Sequence, residues 1–101
     1  MIKITTNSDY LNTFNINKYS FEDGDLVLYI TTNIHLLRNI IYEALNAPCT
    51  RIKVSIYSND VSEYSFDFTV RNKPILTYTQ DQNSDDIDVK IVFNGYISYV
   101  R

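Results

Sequence analysis

Residues 51–70 read RIKVSIYSNDVSEYSFDFTV and contain two runs in which apolar and polar side chains alternate. Every second residue of 52–56 is apolar, and so is every second residue of 64–70. Alternation with a period of two is typical of a β-strand that buries one face. The dipeptide Asn59-Asp60 between the two runs favours a reversal of the chain. The segment therefore predicts an antiparallel pair of strands.

Similar runs flank this segment, and turn-forming residues separate them. Asp23-Gly24 and Asn94-Gly95 favour two-residue hairpin turns, because both positions of such a turn need positive φ. Asn72-Lys73-Pro74 indicates a further reversal. The predicted strands are residues 2–6, 13–22, 25–32, 51–58, 63–71, 74–80, 87–93 and 96–100. Connections this short favour antiparallel pairing between neighbours in sequence.

One helix is predicted at about 34–46, between the third and fourth strands. Its apolar stripe, at helical spacing, consists of Ile34, Leu37, Ile41 and Leu45. Thr32 or Asn33 can cap its N-terminus by accepting a backbone hydrogen bond. Pro48 cannot continue a helix, so the helix is expected to end before it.

Together these elements predict a single α+β domain over residues 1–101. A strongly bent, mostly antiparallel sheet of seven or eight short strands is expected to pack on the central helix, because the apolar stripe of a helix is buried against a sheet face. An alternative is a right-handed β-α-β crossover over residues 25–58, which would make the sheet mixed.

Composition limits the classes of protein and partner. The chain has 101 residues, of which 45% are apolar and 21% charged, a balance typical of one globular domain. Nine Lys and Arg stand against twelve Asp and Glu, so a nucleic-acid partner, which needs a basic face, is not expected. A single cysteine, no apolar leader and no apolar run of about 18 residues indicate a cytoplasmic protein that does not enter a membrane. Abundant Ile, Asn and Tyr favour a low-GC source, such as a Gram-positive bacterium or its phage.

No motif predicts a catalytic, metal or cofactor site. His35 and Cys49 are 14 residues apart, about 21 Å along a helix, which is too far for a Cys–His pair. Residues 81–85 match the first ligands of a calcium loop, but Asp86 stands where that loop needs Gly and Val92 where it needs Glu. Both glycines belong to predicted turns, so no glycine-rich phosphate loop is expected. We therefore assign no catalytic residue, metal or cofactor, and favour a non-enzymatic role.

Large side chains are expected on both faces of the predicted sheet. If Phe66, Phe68 and Val70 point at the helix, alternation places six further large residues on the opposite face. These are Tyr57, Leu76, Tyr78, Val92, Ile97 and Tyr99, with Val92 paired to Ile97 across the Asn94-Gly95 turn. A contiguous patch of this kind is typical of an interface. The alternative is a sheet that curls or splits into a sandwich, covered by Phe14, Ile16, Tyr19 and Phe21.

The function predicted from these features is a small acidic protein-binding or inhibitor domain. It would block a partner, one of basic character, by steric occlusion through the Tyr-rich face. The acidic residues that would steer the partner are Asp67, Asp85, Asp86 and Asp88. A phage-encoded anti-defence protein, such as an anti-CRISPR, or an immunity protein against a toxin would have this character.

Two alternatives stay open. The first is a protein that binds or degrades a small nucleotide or phosphate ligand, held by His35, Arg51, Arg71 and Lys73. The second is a structural virion component that uses the same sheet face to form a homodimer or larger homo-oligomer.

Overall fold

The computed structural model describes residues 2–6, 15–46, 51–59, 61–80 and 82–100, and this part of the chain forms eight strands and one helix. In chain order the elements are β1 (Ile2–Thr6), β2 (Asn15–Glu22), β3 (Asp25–Thr32), α1 (Ile34–Asn46), β4 (Arg51–Ser58), β5 (Val61–Val70), β6 (Ile75–Gln80), β7 (Ile87–Phe93) and β8 (Gly95–Val100). All the predicted elements are present. The start of the predicted strand 13–22 and Phe14 lie outside the described residues.

The strands form two four-stranded sheets in which all neighbours are antiparallel. Sheet I has the order β1-β4-β5-β8, and sheet II has the order β2-β3-β7-β6. Because β3 and β4 lie in different sheets, the alternative of a β-α-β crossover over residues 25–58 is wrong. The single bent sheet is also wrong, and the sandwich alternative describes the arrangement better.

The hydrophobic core lies between the two sheets. Sheet I contributes Ile52, Val54, Ile56, Phe66 and Phe68, and sheet II contributes Ile16, Leu26, Leu28, Ile30, Ile87, Val89, Ile91 and Phe93. The alternation read from the sequence explains this set, because every second residue of each strand points inward. The fold is therefore mostly antiparallel β with one helix, and the prediction that the core forms around a central helix is corrected.

Helix α1 covers part of this core instead of forming its centre. Leu37 is buried and Ile41 packs against the core cluster, whereas Ile34 is 48% exposed. Of the two predicted caps, Asn33 is the one used: its Oδ1 accepts hydrogen bonds from the backbone N–H groups of His35 (3.1 Å) and Leu36 (3.0 Å). In the described part of the chain, no helix is long and apolar enough to cross a membrane.

Two of the predicted hairpins are confirmed. Asp23 and Gly24 have φ values of 54° and 86° and connect β2 to its antiparallel neighbour β3. Asn59, with a φ of 51°, follows β4, which pairs with β5. In both cases the turn residues are of types that tolerate positive φ at little cost.

The predicted hairpin over Asn94-Gly95 is wrong. Strand β7 pairs with β3 and β6 in sheet II, whereas β8 pairs with β5 in sheet I, so the chain changes sheets at Asn94. Gly95 is not in the positive-φ region. It is needed for space, because a Cβ there would overlap the backbone carbonyl oxygen of Thr69 and approach the Phe68 ring to 2.9 Å.

Aromatic side chains of β2 connect sheet II to sheet I. Tyr19 and Phe21 of the edge strand β2 pack on Phe66, with ring centroids 5.7 and 5.5 Å apart, and the Tyr19 hydroxyl bonds that of Tyr64. Strand β2 therefore packs against the inner face of β5. Strand β8 follows β5 as the last strand of sheet I, and its exposed side chains create the surface considered next.

Candidate interaction surface

Strand β8 is an edge strand of sheet I, and its side chains are exposed. All five residues from Tyr96 to Val100 are exposed, including Tyr99 at 57% and Val100 at 64%. A strand at a sheet edge also presents backbone N–H and C=O groups along its outer side. Strand β8 thus offers main-chain hydrogen-bonding groups and large apolar side chains in the same place.

The sequence of β8, GYISYV, contains no charge and no proline. Charged residues, lysine above all, and proline are the usual devices that stop an edge strand from pairing with another chain. Among the other edge strands, β1 and β2 each carry one lysine, Lys3 and Lys18. Strand β6 is uncharged as well, and five of its six residues are exposed. Strand β8 has one extra residue, Ser98, in its pairing with β5, a β-bulge, but no charge or proline that would keep a partner strand away.

An exposed apolar patch adjoins the inner side of β8. Ile97 is the direct neighbour of Phe68, and Val100 of Phe66, so both point towards the inner side of sheet I. Phe21 contacts the same two rings, at 6.3 and 5.5 Å between centroids. The patch consists of Phe21, Tyr64, Ile97 and Val100, which are between 41% and 64% exposed. We refer to these four residues as the β8 patch.

The opposite side of β8 carries two tyrosines and a basic rim. Tyr96 lies opposite Thr69, and the Arg71 guanidinium lies 4.8 Å from the centre of its ring, a cation–π contact. Tyr99 lies opposite the buried Asp67. A shallow hollow of about 440 Å³ is lined by Arg51, Asp67, Ser98 and Tyr99. This side can therefore form aromatic contacts and hydrogen bonds together.

The six residues predicted to share one Tyr-rich face are divided between the two sheets. Tyr57, Ile97 and Tyr99 belong to sheet I, and Leu76, Tyr78 and Val92 belong to sheet II. The predicted pair of Val92 with Ile97 does not form, since Val92 pairs with Val27 and Ile75. The single face is therefore corrected. Ile97 and Tyr99 share strand β8, but the register shift in its pairing with β5 places them on opposite sides of sheet I.

The predicted acidic residues are also dispersed. Asp67 is buried in sheet I, whereas Asp85, Asp86 and Asp88 are exposed in and after the loop between β6 and β7. Asp88 accepts a hydrogen bond from the Thr31 hydroxyl at 3.0 Å. This loop precedes β7 and β8 follows it, so the length of β7, roughly 20 Å, separates the acidic loop from the start of β8.

Three of the four predicted phosphate ligands lie near one end of sheet I. Arg51 is in line with Thr69 and Tyr96 across the sheet, Arg71 lies over Tyr96, and Lys73 is exposed in the following connection. His35 is exposed in the first turn of α1, beyond the far end of β3. Strand β3 is eight residues long, about 26 Å, so His35 does not join the other three.

A separate groove crosses the outer face of sheet II. It has a volume of about 460 Å³, and its lining includes Lys18, Tyr29, Lys90, Thr77, Thr79, Asp88 and Asn17. One row across the four strands is formed by Lys18, Tyr29, Lys90 and Thr77, which lie side by side. On the other wall Asn17 donates to the Thr31 hydroxyl at 2.7 Å, which in turn donates to Asp88. Sequence reasoning missed this groove, because its residues are individually ordinary and only the register of the strands brings them together.

Glu22 fixes the basic side of this groove. Its carboxylate forms a salt bridge with the Lys90 ammonium at 3.0 Å and accepts a hydrogen bond from the Tyr29 hydroxyl at 3.0 Å. The hydrogen bond from Lys90, followed by that from Tyr29, lowers the pKa of Glu22 below its ordinary value, and the same bond raises the pKa of Lys90. The Lys18 ammonium lies 4.5 Å from the Tyr29 ring centre.

Among the described residues, no three His, Cys, Asp or Glu side chains come together as a metal site. Cys49 and Asp81, which figured in the search for catalytic and calcium motifs, lie outside the described residues. Comparison of the chain with protein-family models, with curated proteins and with solved structures found no match. Function is therefore inferred from the geometry of the surfaces above.

Proposed function

We propose that this chain is a non-enzymatic protein-binding domain, and that strand β8 with the β8 patch is its binding face. The observation that carries the proposal is an uncharged edge strand with five consecutive exposed residues, four of them large and apolar or aromatic. Such an edge can accept a strand of a partner by main-chain hydrogen bonds, while side chains on both sides give specificity. Tyrosine suits this role, because its ring buries area and its hydroxyl stays hydrogen-bonded.

A domain of this kind acts by occupying a surface that its partner needs. Inhibition of a defence protein or toxin in the cytoplasm of a low-GC bacterium, by a phage or immunity protein, is the role we favour. The acidic loop residues, Asp85, Asp86 and Asp88, would steer a basic partner over a distance, while β8 makes the close contacts. Arg51 and Arg71 beside β8 favour an acidic group at the contact itself.

The test is a differential capture experiment from a low-GC bacterial lysate. Wild-type protein, the variants Val100→Lys and Tyr99→Lys, and the control Asn39→Lys, at an exposed position of α1, are immobilised and the captured proteins are quantified by mass spectrometry. Both β8 side chains are more than half exposed, so the variants should fold, and thermal unfolding checks this. We expect one or more proteins to be captured by the wild type and the control and to fall at least about tenfold with both β8 variants, as loss of a central contact predicts. Equal capture by all four would reject β8 as the binding face.

A second candidate function, binding of a small phosphorylated ligand, is favoured by the groove on sheet II. Its volume of about 460 Å³ lies within the usual range for ligand pockets, and Lys18 and Lys90 line it. A thermal-shift screen with inorganic phosphate and mono-, di- and cyclic dinucleotides tests this. Ligand at 100 times its Kd stabilises by about 2.7 kcal/mol, and Lys18→Ala should reduce the shift. No shift with any of these compounds would remove this candidate.

A further inference from the structure

We infer that the outer face of sheet I, the side away from the core, binds single-stranded nucleic acid. Tyrosine rings would stack on bases, and cationic side chains would pair with phosphates. Ile97 and Val100 of the β8 patch point to the other, inner side of this sheet. The inference therefore goes beyond the proposed function and does not depend on it.

The register of the strands brings cations and tyrosines together on this face. One row across β4, β5 and β8 consists of Arg51, Thr69 and Tyr96, and the next row consists of Lys53, Asp67 and Tyr99. Residues directly opposite each other in an antiparallel pair point to the same face. Ile52 and Phe68, which lie between the two rows, point inward and are buried in the core. The rows are two residues apart along β4, about 7 Å, so both can contact neighbouring nucleotides of one strand.

The charges of the two sheets differ in sign. In the described part of the chain, sheet II and its hairpin loops carry two lysines, Lys18 and Lys90, and six carboxylates, Glu22, Asp23, Asp25, Asp85, Asp86 and Asp88. Among the described side chains of the outer face of sheet I and the connection after β5, four are cationic, Arg51, Lys53, Arg71 and Lys73, and one is a carboxylate, Asp67. The net charge of −3 sums over both sheets and conceals this basic face. The argument from composition against a nucleic-acid partner therefore does not apply to it.

The two tyrosines of this face are accessible to bases. Tyr96 is 46% and Tyr99 57% exposed. Stacking on an aromatic ring tolerates any sequence, because every base has a π-face. The Arg71 guanidinium, 4.8 Å from the centre of the Tyr96 ring, is placed to pair with a phosphate beside a stacked base. The hollow of about 440 Å³ lined by Arg51 and Tyr99 combines the same two contacts in the next row.

A single strand uses both features of the face, whereas other polyanions use one. The bases of a duplex are stacked on each other and cannot reach the tyrosine rings. The carboxylates of an acidic protein would pair with the arginines but would leave the rings without a stacking partner. With so few cations, the expected binding is salt-dependent and weak, with a Kd on the order of 10 µM.

Fluorescence anisotropy with a labelled oligothymidylate of about ten nucleotides tests the cations. Each phosphate contact that is lost should reduce the slope of log K against log salt by about 0.7. Arg51→Gln and Arg71→Gln should each lower the affinity and this slope. The control Arg38→Gln makes the same change in net charge at an exposed position of α1 and should bind as the wild type does.

Thermal unfolding checks that the three variants are folded, and Arg71, which follows β5, gives a test outside the strands. A wild type that does not bind at low salt overturns the inference. So does an equal loss in all three variants, or binding by the folded Arg51 and Arg71 variants with the slope of the wild type.

Two substitutions of Tyr99 test the stacking. Tyr99→Leu keeps an apolar side chain but removes the π-face, and should lower the affinity roughly tenfold. Tyr99→Phe keeps the ring and should bind as the wild type does. A Tyr99→Leu variant that binds as tightly as Tyr99→Phe would overturn the inference.

Competition against the labelled probe identifies the class of ligand. Unlabelled oligothymidylate and oligouridylate should displace it, and the stronger competitor shows whether DNA or RNA is preferred. A duplex of the same length and polyglutamate should each compete at least about tenfold less well, because neither offers bases to the tyrosines. Polyglutamate or duplex that competes as well as the single strands would show that the face recognises charge alone and would overturn the inference.

Discussion

Gly24 and Gly95 are the two glycines of the chain, and the structure needs them for different reasons. Gly24 has a φ of 86° and open space where a Cβ would be, so only its backbone conformation is demanding. Gly95 has an ordinary φ, but its Cα lies against the carbonyl of Thr69. The dipeptides Asp23-Gly24 and Asn94-Gly95 look alike in sequence and differ in which constraint applies.

Substitution at the two glycines should separate these constraints. Gly24→Asn should lower the free energy of unfolding by about 1 kcal/mol or less, because Asn tolerates positive φ. Gly95→Ala should lower it by about 3 kcal/mol or more, because the backbone of β5 has to move. Urea denaturation of both variants measures the difference. Equal losses would show that Gly95 is not needed for the close approach.

Val27 illustrates how a surface network can bury a residue on the outer side of a sheet. It points away from the core, between Asp25 and Tyr29 on β3, yet is 0% exposed. The bonds from Glu22 to Lys90 and Tyr29 pass over it, since Glu22 lies beside Asp25 and Lys90 beside Tyr29. Long side chains often cover apolar surface in this way. Val27→Ala should cost about 2 kcal/mol in urea denaturation, more than an exposed valine would.

The Glu22 carboxylate should titrate below the ordinary range for glutamate. Because its folded pKa is lowered, its contribution to stability is present above the unfolded pKa and lost as the pH falls through the folded pKa. The raised pKa of Lys90 has the opposite consequence: its contribution is lost only as the pH rises through that value. NMR titration of Glu22 should show its pKa move up in Lys90→Met and by less in Tyr29→Phe. An unchanged pKa in Lys90→Met would contradict the bridge.

At the scale of elements, α1 is the part that follows most directly from local sequence. Its start at Ile34 depends on the Asn33 cap, which satisfies two backbone N–H groups that have no helical partner. The local sequence does not predict which residues of α1 are buried. Its apolar stripe includes both Ile34, which is about half exposed, and Leu37, which is buried.

Asn33→Ala should therefore lower the free energy of unfolding by about 1 kcal/mol. Asn33→Ser should restore most of that loss, since its hydroxyl can accept the same bonds. The matched control is Asn39→Ala, at an exposed helical position, which should be neutral or slightly stabilising. Chemical denaturation followed by far-UV circular dichroism measures all three, and an Asn33→Ala variant as stable as wild type would contradict the cap.

At the scale of the whole molecule, the two sheets share one core and should unfold together. Phe68 is fully buried, contacts Phe21 of the other sheet, and lies next to Ile97. Phe68→Ala should cost about 4 kcal/mol. Near- and far-UV circular dichroism should give coincident transitions for wild type. Separate transitions would show that the sheets are independently stable.

The sequence alone determined the local structure of this protein. Period-two alternation placed the strands, helical spacing with Asn33 and Pro48 bounded α1, and Asp23-Gly24 defined one hairpin, because each signal depends on neighbours within a few residues. It also predicted exposed tyrosine and apolar residues on β8, of which Ile97 and Tyr99 were named in advance. It did not single out Phe21, Tyr64, Tyr96 or Val100 as a binding surface. The absence of charged residues from GYISYV, residues 95–100, is a feature of the sequence that could have indicated this strand.

Tertiary structure decided which strands pair and which surfaces result. After Asn94 the chain can fold back on β7 or pass to the other sheet. The alternation of side chains along residues 95–100 is the same in both cases, so it does not distinguish them. The outcome depends on β5, more than twenty residues earlier. The backbone carbonyl oxygen of Thr69 in β5 leaves no room for a Cβ atom at position 95, so only glycine fits there. That choice divided the predicted single face between two sheets and made β8 an edge strand of sheet I with exposed side chains. Both depend on contacts between residues distant in sequence, which no local pattern records.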